Sequence, residues 1–257
     1  MNLLAFDIET IPDVELGRRL YGLGAELSAE DVARIMFFKH RQARGTEFLP
    51  PIQHKIVAIS VALRAADNFR LWSLGDADAQ EADLVARFFE GIQRYSPVLV
   101  SWNGSGFDLP VLNYRALHYG LNASPYWEMG DDNREFRYNN YLSRFHWRHI
   151  DVMDVLSGYQ PGGRASLEHV ALSLGLPGKL GMSGDQVWDT FVRGDIAAIR
   201  NYCETDVLNT YLIFLRFQLL RGQLDQVNYG SEIDRVRTWL AEAKGPHFQE
   251  FLSSWPI

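Results

Sequence analysis

An α/β fold, a mixed β-sheet flanked by helices in a single domain spanning 1–257, is the architecture this sequence predicts. Three features carry that reading. Apolar runs of strand length recur through the first hundred residues; runs with helical spacing separate and follow them; and 47% hydrophobic against 22% charged residues is the balance of a chain with an interior to fill.

Leu3 to Thr10 alternates with the two-residue period of a strand, and Pro12 ends it. Residues 13–50 read as a mostly helical insert, with an amphipathic helix over Glu30 to Arg44, closed by Pro50-Pro51. Lys55 to Arg64 is the second strand, joined by a tight turn at 65–67 to a third over Asn68 to Leu74. Gln80 to Tyr95 has helical spacing with Leu84, Phe88 and Ile92 on one face; Val98 to Trp102 is a further strand. A Gly-bearing turn leads into a helix from Leu109 to Tyr119, with Pro110 in its first turn, and then into an aromatic-rich loop over 122–144. His149 to Leu156 is expected as a strand, and Ser166 to Leu174 as a helix stopped by Gly175 and Pro177. Asp195 is the N-cap expected for a long helix to Arg221. Ser231 with Asp234 suggests a capping box opening the last helix, in an extension over 223–257 that Gly245-Pro246 interrupts.

The charge balance is 25 Lys and Arg against 32 Asp and Glu, a formal −7, with no run of consecutive basic residues. That argues against a strong, sequence-indifferent grip on duplex DNA. The amino terminus lacks the basic flank and apolar stretch of a signal peptide, and the longest apolar runs are too short for the ~20 residues that cross a bilayer. A cytoplasmic protein with no membrane partner is the expectation. Lone Cys203 reads as a small buried thiol of a reducing compartment.

Asp7 and Glu9 are two apart on the first strand, so both carboxylates leave the same face. Burying such a pair is costly unless a cation neutralises it, and an oxygen-only donor set suits a hard ion; the plain alternative is a solvated sheet edge. Asp108 follows a strand and a turn and stands where a helix N-cap would, yet that is also where open α/β sheets place ligand-binding groups. Tyr202 and Asp206 are four apart on one face of the long helix, beside its apolar stripe; Asp206 either joins a site or pairs with Arg200 or Arg216. Neither a GxGxxG nor a Walker-type cradle is complete.

Taken in order, Phe6-Asp7-Ile8-Glu9-Thr10, then Trp102-Asn103-Gly104 with Phe107-Asp108-Leu109-Pro110, then His149-Ile150-Asp151, Gly178-Lys179 and Tyr202-Cys203-Glu204-Thr205-Asp206, resemble the DEDD superfamily of 3′-to-5′ exonucleases. The likeness runs from Leu4 to Arg216 and points to the tyrosine subclass, and in particular to predicted exonucleases related to the proofreading domain of family B DNA polymerases. The resemblance implies a ribonuclease H-like fold and four metal-binding acids, Asp7, Glu9, Asp108 and Asp206. It implies two Mg2+ or Mn2+ ions, roughly 3.5 to 4 Å apart, one activating water and one stabilising the leaving 3′ oxygen. Tyr202 would orient the water. Thr10 and Ile11 would lie beside the terminal nucleotide, and Asn103 and Phe107 near the penultimate one. The expected partner is a single-stranded DNA or RNA 3′ end, DNA before RNA, with products released as nucleoside 5′-monophosphates; a proofreading or repair role would need a separate polymerase or repair partner. A nucleic-acid-binding module without turnover, or an exoribonuclease, are the alternatives.

Two segments remain to be weighed. His146 to Asp151 has the His-x-x-x-x-Asp spacing of the histidine subclass, though on an expected strand; the tyrosine assignment makes His146 ordinary and puts Asp151 behind the site. The stretch 178–185 departs from the family pattern, so no contact is carried over to Lys179 or Ser183. Between Tyr126 and His149 six aromatics, among them Trp127, Phe145 and Trp147, interleave with Arg134, Arg137, Arg144 and Arg148. Such a loop either stacks single-stranded bases or simply covers the sheet.

Overall fold

In the computed structural model, which describes residues 2–256, the first apolar run is the strand β1, Leu3–Pro12. Leu4, Phe6 and Ile8 enter one apolar cluster, while Ala5 and Ile11 enter others on the opposite face. A strand covered on both sides belongs inside a sheet. Five strands run in the order β3-β2-β1-β4-β5, with β2 at His54–Ala65, β3 at Asn68–Ser73, β4 at Val98–Ser101 and β5 at His149–Asp151. β1 pairs antiparallel with β2 and parallel with β4; β2–β3 is the expected hairpin, and β5 runs parallel to β4. This is the mixed, ribonuclease H-like α/β sheet that the sequence predicts.

The pairing of β1 with β2 carries one irregularity: Glu9 faces Ala58 but Thr10 faces Ile56, so Val57 is an extra residue on β2. Ile56 consequently joins the cluster of Ile59 and Val61, although unbroken alternation would have grouped it with Ala58.

The insert folds as α1, Val14–Tyr21, capped by Asp13, and α2, Ala29–Arg44, capped by Ser28, around Val32, Met36 and Leu49. One face of the sheet is covered by α3, Glu81–Tyr95, and α4, Asp108–Tyr119. Leu84, Phe88 and Ile92 point inward as their spacing predicts, and the Phe88 ring lies 5.0 Å from that of Phe6. Arg115 of α4 is buried between two carboxylates. It meets Asp13 Oδ2 at 2.6 Å and Glu81 Oε1 at 2.7 Å, and Glu81 also accepts the Ile56 N–H of β2. One guanidinium thus ties β2, α3 and α4 to the root of the insert.

The loop over 122–144 contains one turn of α-helix, α5, Ser124–Trp127, and a 3-10 turn over Arg134–Arg137. Past β5 come α6, Val152–Leu156; α7, Leu167–Ser173; α8, Val187–Val192; and α9, Ile196–Leu220, which crosses the other face of the sheet against β1 and β2. Asp195 caps α9, accepting the Ala198 N–H at 3.0 Å. α10, Gln226–Glu242, and α11, Pro246–Ser254, bury Val236, Leu240, Phe248 and Phe251 in the same cluster as Tyr211 and Phe214 of α9.

Two expected elements differ. The strand over 149–156 stops at Asp151, because its carboxylate accepts the Asp154 N–H (3.3 Å) and starts α6 there. The last long helix opens earlier than expected, at Asp225, whose side chain accepts the Asn228 N–H at 2.7 Å. Ser231 lies within α10 and returns its hydroxyl to the Val227 carbonyl.

Candidate active site

β4 follows β1 only as far as Val100 opposite Ala5, then turns away through residues 102–107. The Ile8 N–H on that side has no strand to bond, and the Asp108 carboxylate takes it at 3.2 Å. Asp108 is therefore fixed against the strand that carries Asp7 and Glu9. α9 lies across the face those two share, and Asp206 projects from it. Glu9, Asp108 and Asp206 are 7%, 4% and 6% exposed. Three separate segments thus bring the four expected acids together.

Their electrostatics show the proximity. Burial, then Asp108 and Asp206, push Asp7 well above the ordinary carboxylate range; burial, then Asp7, Asp206 and Asp108, do the same to Glu9. Asp108 rises to about 7, chiefly by burial, against which the N–H bonds it accepts work. Asp206 rises to about 6, again by burial, offset first by Lys179. Asp206 Oδ1 is buried with no hydrogen-bond partner among the described residues. The expected alternative partners are engaged elsewhere: Arg200 donates to backbone carbonyls of residues 73–76, and Arg216 lies over the Tyr229 ring.

Tyr202, 5% exposed, faces the same cluster, and burial, Asp206, Glu9 and Asp7 all raise its phenol pKa. Lys179 Nζ sits 5.4 Å from the centre of its ring. Cys203 is fully buried behind Asp7, its Sγ 3.4 Å from the Asp7 carbonyl oxygen; burial and the acids raise its pKa as well. Ligand atoms of Asp7, Glu9 and Cys203 lie within 4.8 Å of one another, a spacing that can hold a cation. The charge and the oxygen-rich donor set fit a hard divalent ion.

The turn before Asp108 depends on Asn103, which adopts a left-handed conformation (φ 64°) that Asn tolerates better than most residues. Asp151 holds it from below, accepting the Asn103 and Ser105 N–H groups at 2.9 Å each. His146 instead accepts the Asn140 N–H within the long loop. The His-x-x-x-x-Asp spacing therefore serves that loop and this turn.

Of the expected nucleotide contacts, Thr10 bonds its hydroxyl to His54 Nδ1 at 2.8 Å, while His54 Nε2 reaches the Leu49 carbonyl. Phe107 meets the His54 ring edge-on at 4.9 Å and lies 5.2 Å from Phe48, which is 61% exposed. Ile11 is buried against Tyr202 and Cys203. Sequence reasoning assigned no role to Lys179, His54 or Phe48, and did not foresee the thiol behind Asp7. Each arrives from a segment whose proximity is set only by the tertiary fold.

Residues 46–255 match the family model described as predicted 3′-5′ exonucleases related to the exonuclease domain of PolB. The chain belongs to this family. The match begins after β1, so Asp7 and Glu9 join the family's region through the fold. Among curated proteins the chain is similar to the catalytic A subunit of DNA polymerase epsilon from Schizosaccharomyces pombe, 25% identical over 148 residues (54% of this chain), and from Dictyostelium discoideum, 27% over 143 residues (54%). It is also similar to a DNA polymerase of Archaeoglobus fulgidus, 24% over 171 residues (65%). The matched region spans 6% of each epsilon polymerase chain and 21% of the archaeal polymerase. Among the described residues, no helix is long and apolar enough to cross a membrane.

Proposed function

We propose that this chain is a metal-dependent 3′-to-5′ exonuclease that hydrolyses single-stranded nucleic acid, DNA in preference to RNA, and releases nucleoside 5′-monophosphates. The observation that carries the reading is the convergence, from three segments, of the buried Glu9, Asp108 and Asp206 with the half-buried Asp7, one carboxylate oxygen among them unpartnered. The family match and the polymerase relatives support the reaction class.

These four acids would hold the divalent ions, Mg2+ or Mn2+, which when bound supply Lewis acidity to activate water and stabilise the leaving 3′ oxygen. Asp108, pinned by the Ile8 N–H, and Asp7 and Glu9, fixed on a central strand, keep the donors in place without rearrangement. Tyr202 keeps its proton at neutral pH, so it acts as a hydrogen-bonding positioner of water and not as a base. Lys179, beside that ring, gives the acidic site a positive group that could meet a phosphate. Thr10, Asn103 and Phe107 would line the approach for the last two nucleotides, while Ile11 backs Tyr202 from the interior.

Asp7→Ala or Asp206→Ala should abolish Mg2+- or Mn2+-dependent shortening of a 5′-labelled oligonucleotide with circular dichroism unchanged. Retained shortening would refute the site. Tight binding by the unaltered protein without any shortening in Mn2+ would instead favour the inactive binding module, and preference for an RNA strand the exoribonuclease.

A further inference from the structure

Asp154 is a buried carboxylate with no part in the acidic cluster. It lies one turn after Asp151 on α6, is 2% exposed, and accepts Arg144 Nη2 on Oδ2 and Arg164 Nη2 on Oδ1, each at 2.8 Å. Both arginine side chains stay open to solvent, 45% and 36% exposed. Each spends one nitrogen on Asp154, which leaves the rest of its fork free to donate. Two guanidinium groups on one carboxylate make a net positive spot in a chain of formal charge −7.

The surroundings match. Arg144 lies over the Tyr159 ring at 4.9 Å and beside Phe145, which is 68% exposed and meets Tyr159 edge-on at 5.1 Å. Arg144, Asp154 and Arg164 line a groove of about 490 Å³ together with Trp127, 52% exposed, and with Ser105 and Gly106. Those last two belong to the turn between Asn103 and Asp108. The groove thus reaches the turn that carries Asp108, with Leu109 and Pro110 also in its wall, and Asp151, the N-cap of α6, and Asp154 within that helix hold the turn and the arginines in register.

We infer that this groove is the track for single-stranded nucleic acid upstream of the cleaved end: Arg144 and Arg164 take a backbone phosphate, and Phe145 and Trp127 stack bases. Free donors aimed by a buried carboxylate suit a phosphodiester, and exposed rings beside them suit unpaired bases. This resolves the aromatic and arginine-rich loop in favour of binding at its Arg144–Phe145 corner, while Arg148, packed 4.0 Å over Phe136, serves the interior. The inference rests on the proposed exonuclease reading for its polarity alone.

The test uses the full chain with Arg144→Gln/Arg164→Gln, and, because the double change strands Asp154, also Phe145→Ala and the charge-keeping Arg144→Lys/Arg164→Lys. Oligothymidylate binding to the Asp206→Asn protein, followed by fluorescence anisotropy, should weaken about ten-fold in the Gln pair and in Phe145→Ala. The salt slope should flatten by roughly 0.7 for each phosphate no longer neutralised in the Gln pair, and not in Arg34→Gln on α2. In the active protein, the ratio of kcat/KM for oligothymidylate to that for the p-nitrophenyl ester of thymidine 5′-monophosphate should fall about ten-fold in the Gln pair and in Phe145→Ala, with the Lys pair intermediate. Unchanged affinity, slope and ratio in folded Gln and Phe145→Ala variants would overturn the inference. If neither substrate is hydrolysed, the exonuclease reading fails while the anisotropy arm still decides the track.

Discussion

The four acids differ from ordinary carboxylates in the sign of their effect on stability. Asp206 at about 6 and Asp108 at about 7 sit above the usual value near 4, so each favours the folded state below pH ~4 and loses that contribution as pH rises through its folded pKa. In EDTA, Asp108→Asn should therefore melt with the unaltered protein at pH 4 and several degrees above it at pH 8, on the order of 2 kcal/mol, since Asn keeps an acceptor for the Ile8 N–H. Saturating Mg2+ should reverse the order at pH 8; equal melting at all pH values would show that the acids are not mutually buried. Tyr202→Phe should lower kcat about a hundred-fold with oligonucleotide affinity kept. The acids are legible in the sequence because each obeys a local rule: period two on a strand, first residue after a strand-end turn, four apart on a helix. Lys179 and Cys203 obey none, because nothing local says that residues 179 and 203 will meet residue 7.

At the scale of elements, the turn over 103–107 and the clasp at Arg115 are where single side chains hold several segments. Asp151→Ala releases the Asn103 and Ser105 N–H groups, and should cost roughly 2–3 kcal/mol in urea unfolding while slowing turnover. Amide exchange over 103–106 should speed up in that variant. Arg115→Met leaves Asp13 and Glu81 buried without a cation, a loss of roughly 3–5 kcal/mol readable as a lower melting temperature. Element types were mostly legible from periodicity. The failures were at caps: Asp151 reads as a strand residue until Asp154 is seen three positions on, and Ser231-Asp234 imitates a capping box that Asp225 pre-empts by six residues. The extra residue Val57 left no sequence signal, since β2 is apolar on both faces and one skipped position does not disturb the pattern.

For the whole molecule, the C-terminal segment that the sequence presents as an extension is part of the main interior. Its Val236, Leu240, Phe248 and Phe251 share a cluster with Tyr211 and Phe214; Glu204 of α9 bonds both Ser73 on β3 and His247 on α11. A chain ending at Arg221 should consequently be insoluble, or bind a hydrophobic dye, where the full chain does neither; a soluble, cooperative fragment would contradict this. The formal −7 also has an internal address, with four acids gathered beneath α9 and the arginine pair at the groove. β1 lies third of five strands, paired with β2 along its length and with β4 over Leu3 to Ala5, roofed on both faces, and it bears two of those acids. A strand in that place cannot fray by itself. Its amides over Leu4 and Ala5, where both neighbours pair with it, should exchange only when the entire domain opens, so heating should extinguish activity and fold in one transition, with no half-open, idle form between them.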